Sequence, residues 1–152
     1  MYTLTYESKA TKKMNSQEMA VLLEKARSNN ERDNITGCLI YNMREFVQVL
    51  EGDREKILPL YERLKVDSRH IYVHLVSDDE IEERTFPNWG MAYYPIDEKA
   101  TSKSELEQFR NNLLLLADLT DLTHMTARLF WKRIKFIITR PPESLGYKFN
   151  KP

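Results

Sequence analysis

The histidines and cysteines from which acid–base, nucleophilic or metal sites are most often built are few in this chain: His70, His74, His124 and the single cysteine, Cys38. His70 and His74 stand four apart, which is ligand spacing on a helix, but HIYVH reads as a strand, where the two do not converge on one ion. Cys38 sits beside Leu39 and Ile40 and reads as core, not as a nucleophile. There is no GxSxG, GxGxxG or P-loop, and four glycines in all leave no glycine-rich phosphate cradle. What remains is a set of amides and a phenol at positions expected to be buried. In FVQVLEG, Phe46, Gln48 and Leu50 share one strand face and Val47 and Val49 the other. A buried glutamine left without partners costs about 1–3 kcal/mol for each stranded group, so Gln48 needs a neighbour or a ligand.

The elements that must position these groups are legible from periodicity. Tyr2, Leu4 and Tyr6 alternate in a first strand predicted over Met1 to Glu7, followed by a turn-like SKATKKM. Asn15 and Glu18 form a capping-box pair ahead of Met19, Leu22, Leu23 and Ala26, and the helix is expected to end near SNNERDN. ITGCLIY and FVQVLEG, joined by NMRE, predict a hairpin. Asp53 is placed to cap a second helix with a buried stripe of Ile57, Leu60, Tyr61 and Leu64, distorted locally by Pro59. IYVHLVS is a fourth strand and WGMAYY a fifth.

The order β-α-β-β-α-β with an additional strand is a ferredoxin-like α+β arrangement. Ser102 and Glu105 begin a further helix through Leu116, and another runs from about Leu122 to Ile138 before Pro141 and Pro142. Both faces of the hairpin strands are apolar, so both should be covered, and the two C-terminal helices are the expected cover for the second face. Within RLFWKRIKFI, Leu129, Ile134 and Phe136 lie among Arg128, Lys132, Arg133 and Lys135. The reading is a helix packed on its own domain, with Phe130, Trp131 and Ile137 as surplus apolar surface for a second contact.

With the strands so ordered, the first and third are adjacent and Tyr6 and Gln48 become cross-strand neighbours. Asn29 and Asn30 continue the apolar stripe of the first helix. As single residues they read equally as helix C-cap amides, with Gln48 and Tyr6 as a structural pair. Together they suit a planar ligand with a hydrogen-bonding edge, of which a flavin pyrimidine ring is one that periodicity alone does not select.

Bulk composition narrows the class. The 152 residues suit one domain with a sizeable core, and 23 basic against 23 acidic residues give no global pull toward nucleic acid or anionic lipid. An apolar fraction of 41% is that of a globular chain. No run approaches the length of a membrane span and MYTLTYESKA lacks a signal-peptide pattern, so a cytoplasmic location is expected, with neither membrane nor nucleic-acid partner.

LTYESKA, NNERDNITGCLIY, FVQVLEG, DSRH and RTFPNWGM, in this order and spacing, resemble the BLUF domains, blue-light receptors that use flavin; the match runs from Met1 to about Tyr94. The resemblance implies isoalloxazine between the two helices of a ferredoxin-like fold, with FAD as cofactor and FMN or riboflavin as alternatives. It makes Tyr6 the photoactive tyrosine and Gln48 the switching glutamine. Asn30 would bind the flavin carbonyl edge, with Asn29, Leu22, Phe46, Asp67, Arg69 and His70 also on the cofactor. Trp89 and Met91 would be the fifth-strand pair on the signal route.

Two departures from the family pattern, Glu7 after the tyrosine and Pro59 in the second helix, are expected to lie away from the matched residues. Residues 1–98 would form the photosensor domain, 99–140 a helical extension and 141–152 a tail. The implied protein is a non-enzymatic light sensor, expected to form homo-oligomers and to signal to a separate downstream protein. A light-independent regulatory or interaction module binding a small metabolite is the alternative from another class.

Overall fold

The computed structural model describes residues 1–88, the backbone of 92–95, residues 124–139, and positions 104, 107, 108, 111, 112, 114 and 115. Five strands form one sheet in the order β4-β1-β3-β2-β5. They are β1 (Tyr2–Ala10), β2 (Thr36–Asn42), β3 (Glu45–Gly52), β4 (His70–Glu80) and β5 (Ala92–Pro95). The first four pair antiparallel in the ferredoxin-like order, and β5 adds to β2 in parallel. The expected fold class therefore holds, with the fifth strand as the extra one.

On one face lie α1 (Ser16–Arg32) and α2 (Arg54–Lys65). The capping box at α1 is complete: Asn15 accepts from the Glu18 amide, and Glu18 accepts from the Asn15 amide. Asp53 occupies the N-cap position of α2 but makes no side-chain cap bond. Of the stripe expected on α2, Ile57 and Tyr61 are buried, whereas Leu60 and Leu64 are only half-buried. Leu4, Phe46, Leu50 and Ile57 close this side into a core.

The opposite face carries α3 (Met125–Thr139), and the described positions between 104 and 115 are helical too. Alternation on the strands supplies the second core: Cys38, Ile40, Val47 and Val49 meet Phe86, Phe130, Trp131, Ile134, Ile137 and Ile138. Here one expectation is overturned. Phe130, Trp131 and Ile137 are not surplus surface, because all three are buried against the chain's own sheet; Phe136 and Met125 are the large apolar side chains that α3 exposes. A helix laid over a two-sided sheet uses its widest apolar stripe for the core, and each buried large side chain contributes about 1.5–3 kcal/mol there.

Strand lengths differ from those expected at the ends. β1 runs through SKA to Ala10, where the Ala10 amide donates to Arg44 O and Arg44 donates back to Ala10 O and Thr11 O. The turn that carries Arg44 has positive φ at both Met43 and Arg44, which matches the twist of a two-residue hairpin without glycine. β4 runs through DDE to Glu80 as an edge strand with two register shifts against β1, one of them beside Tyr72 at φ 55°. Such bulges bend and twist an edge strand, which protects it from pairing with a further strand. Gly37 is required by close approach: a Cβ there would stand 2.0 Å from Val49 O.

Candidate functional site

Between α1, α2 and the sheet is a cleft of about 640 Å³, within the usual range for small-molecule sites. Tyr6, Leu22, Asn29, Asn30, Phe46, Gln48, Asp67, Arg69 and His70 all line it. Every candidate site residue among the described positions is thus brought to one place. Trp89 and Met91 lie outside the described residues.

The sheet floor comes from β1 and β3. Tyr6 and Gln48 are direct cross-strand partners, and Tyr6 Oη donates to Gln48 Oε1. The carbonyl end of the amide is thereby turned to the phenol and its NH2 end away from it. Both side chains are buried, and the phenol satisfies the amide carbonyl there, which explains how β3 tolerates a long amide between Val47 and Val49. Burial pushes the Tyr6 phenol well above its usual range, with the Asp67 carboxylate adding to the effect. Tyr6 is therefore a neutral O–H donor at any physiological pH.

One wall is the last turn of α1. Asn30 is buried, and its carbonyl accepts from the Ile35 amide at 2.8 Å, which ties the helix end to the entry of β2. The cap itself is Asp33, so Asn29 and Asn30 are helical residues facing the cleft and not the C-cap. The far end is built by the turn before β4. Asp67 accepts from the Arg69 backbone and guanidinium at 2.5–3.1 Å. The guanidinium holds the Asp67 carboxyl down at about 2. His70 Nδ1 lies 2.8 Å from Ser8 Oγ, and its ring packs 4.9 Å from that of Phe46. Desolvation lowers its basicity below that of an ordinary imidazole, so His70 is neutral around pH 7.

Two features, one in the cleft and one behind its His70 wall, were missed in sequence. Ser8 shares the Tyr6 face two residues on, and that periodicity was the available signal for it. Pro59, expected to stay clear of the matched residues, lines the same cleft together with the half-buried Leu60 and Leu64. Proline leaves a helical carbonyl one turn back without its amide donor and presents an apolar ring, which suits a wall that meets a ligand. The other departure, Glu7, does face away, in ionic contact with Arg133 of α3.

The donor set fits a flavin. Apolar walls from Leu22, Leu39, Phe46 and Leu60 suit the faces of a flat ring, and the amides of Asn30 and Gln48 suit its alternating edge. Five cationic and three acidic side chains line the cleft, an excess that favours an anionic ligand portion toward its mouth.

A two-sided sheet with a polar cleft on one face defines an α+β domain built to hold a small ligand. The family described as BLUF, sensors of blue light using FAD, matches residues 1–92, and the chain belongs to it. FAD is the flavin by which that family is described, with FMN as the alternative. A photoactivated adenylate cyclase subunit beta of Euglena gracilis is 36% identical over 86 residues, 57% of this chain and 10% of that protein. The chain thus spans about a tenth of the length of the curated relatives it matches. BlrB, a BLUF protein solved in its dark state, is 27% identical with a TM-score of 0.62, covering 87% of this chain and 96% of that one. BlrP1 of Klebsiella pneumoniae, in complex with manganese and cyclic diGMP, is 28% identical with a TM-score of 0.66, covering 88% and 32% respectively. Among the described residues, no helix is long and apolar enough to cross a membrane.

Proposed function

We propose that this chain converts blue light into a rearranged hydrogen-bond network at Tyr6 and Gln48 and passes the change to a separate protein. The observation that carries the reading is the buried Tyr6–Gln48 hydrogen bond on the floor of the cleft. The bound flavin supplies light absorption and, once excited, a strong oxidant. Tyr6 gives up an electron. Its O–H is held neutral by burial in the dark, so loss of the electron must be accompanied by movement of the phenolic proton. Gln48 Oε1 is the atom placed to take that proton. When electron and proton return, Tyr6 is restored and Gln48 remains rotated or tautomerised, with its hydrogen bonds redistributed.

Asn30 holds the carbonyl edge of the ring, Asn29, Leu22 and Phe46 contribute wall, and Asp67, Arg69 and His70 close the far end. Trp89 and Met91 belong to the signal route of this reading. Residues 1–98 act as sensor, 99–140 as the helical relay and 141–152 as a tail, within a cytoplasmic, self-associating and non-enzymatic signalling protein. The rearrangement biases a two-state element rather than creating a new one.

The test is spectroscopic. Flavin-loaded protein should show a reversible red shift under blue light, absent in Gln48→Ala and in Tyr6→Phe although both retain flavin. A normal red shift in either variant refutes the assigned roles.

A further inference from the structure

The carboxyl group of Glu51 is fully buried, yet it belongs to neither apolar core. It lies on β3 three residues beyond Gln48, on the opposite face, directly across from Thr3 and Thr36. Its two oxygens are used separately: Oε1 accepts from the Thr85 amide and Oε2 from the Phe86 amide, both at 2.9 Å. Arg84 fastens the same loop from the other side, donating to Glu51 O, Thr36 Oγ1 and Asn34 O at 2.7–2.8 Å. Residues 84–86 are thus tied to Glu51 of β3 by three hydrogen bonds, and Arg84 adds two more to Thr36 of β2 and to Asn34.

The same loop meets α3 at two points. The Phe86 ring packs edge-on against Phe130, with centroids 5.8 Å apart, and lies 6.1 Å from Trp131. Thr85 Oγ1 lies 2.9 Å from His124 Nε2, while His124 Nδ1 accepts from the Ala127 amide at 3.2 Å. Accepting at Nδ1 places the imidazole proton on Nε2, so His124 donates to Thr85 and caps the first turn of α3. Asp79 completes that turn by accepting from the Thr126 amide and hydroxyl at 2.7 and 2.5 Å.

We propose that Glu51 is a positioning residue that couples the strand bearing Gln48 to the N-terminus of α3, through the backbone of Thr85 and Phe86 and the His124 cap. The inference rests on the light-sensing role of Gln48. A shift of β3 on illumination is transmitted because the loop amides have one carboxyl group between them and because the cap imidazole is held by the Thr85 hydroxyl. Gln48 and α3 lie on opposite sheet faces, so the coupling passes along the strand rather than through the flavin cleft.

The experiment uses the full flavin-loaded chain and reads two signals: the red shift, and the light-minus-dark difference in amide hydrogen exchange over residues 125–139. Wild type should give both. Thr85→Val keeps the shape of the side chain and removes the hydroxyl, so it should keep the red shift and lose the exchange difference. Thr85→Ser restores the hydroxyl and should restore the difference, which a merely structural loosening would not require. Glu51→Gln exchanges one acceptor oxygen for a donor facing an N–H and should behave as Thr85→Val; if it fails to fold, the Thr85 pair decides. An undiminished exchange difference in Thr85→Val overturns the coupling, as does a wild type with a red shift and no response in α3. A wild type without a red shift removes the light-sensing reading itself, a different result from either.

Discussion

The two faces of the sheet are made from alternate residues of the same strands and end in different states. Toward α1 and α2, Tyr6 and Gln48 interrupt the apolar pattern and leave a polar floor to a cleft. Toward α3, Cys38, Ile40, Val47 and Val49 meet aromatic and isoleucine side chains in a sealed core. Period-two alternation permits this division, because a substitution on one face does not enter the packing of the other. The face left incomplete is the one that can take a cofactor and respond to it. The sealed face is the one rigid enough to carry a small displacement.

The sharpest way to break that comparison is a change on the cleft face with a change on the sealed face as control. Gln48→Ala should abolish the red shift entirely while the protein still folds. Phe130→Ala, fully buried on the other face, should cost about 3–5 kcal/mol in denaturant unfolding and yet leave the red shift in the folded, flavin-bound fraction. Loss of the light response in a folded Phe130→Ala protein would mean that the two faces are not separable.

A smaller effect concerns cofactor hold. Asn30 is buried at the end of α1, and Asn30→Ala removes an amide partner from the ring edge. Flavin affinity should fall by about 1–3 kcal/mol, roughly five- to 150-fold. Unaltered affinity by titration would remove Asn30 from the binding set.

The sequence carries this division unevenly, for physical reasons. Alternation in FVQVLEG and the capping box at Asn15 depend on near neighbours, so β3, α1 and the Tyr6–Gln48 pairing were all legible. Strand ends were not, because β1 is extended to Ala10 by contacts with Arg44, distant in sequence. The fate of Phe130 and Trp131 was also hidden, since an amphipathic stripe shows that a face will be buried but not against what. Glu51 gave no signal at all: a charged residue at a strand end reads as exposed until the amides of Thr85 and Phe86 are seen on it. Ser8, the partner of His70, was within reach of the same alternation that found Tyr6, whereas the place of Pro59 in the cleft required knowing which way α2 faces.

The mildest prediction sharpens the electrostatic side of the comparison, since titratable groups with shifted basicity stand at the far end of the cleft. His70 is less basic in the folded chain than in the unfolded one, where an imidazole titrates at about 6.5. The unfolded state therefore binds a proton that the folded state refuses as pH falls below that value. Linkage gives the sign: stability is full above about pH 6.5 and declines as pH drops from there toward the folded pKa. Asp67 acts in a separate, more acid window, because its folded carboxyl lies at about 2 and its contribution is lost only as pH falls from the ordinary aspartate range toward that value. Denaturant unfolding of wild type and His70→Gln between about pH 5 and 7.5 isolates the histidine. Wild type should lose stability toward the acid end, and His70→Gln should lose less, because the substituted amide has no proton to gain and can still bond Ser8 Oγ. Equal slopes in the two proteins would show that His70 is solvated as freely when folded as when unfolded, and the far end of the cleft would then be open to water rather than part of the buried site.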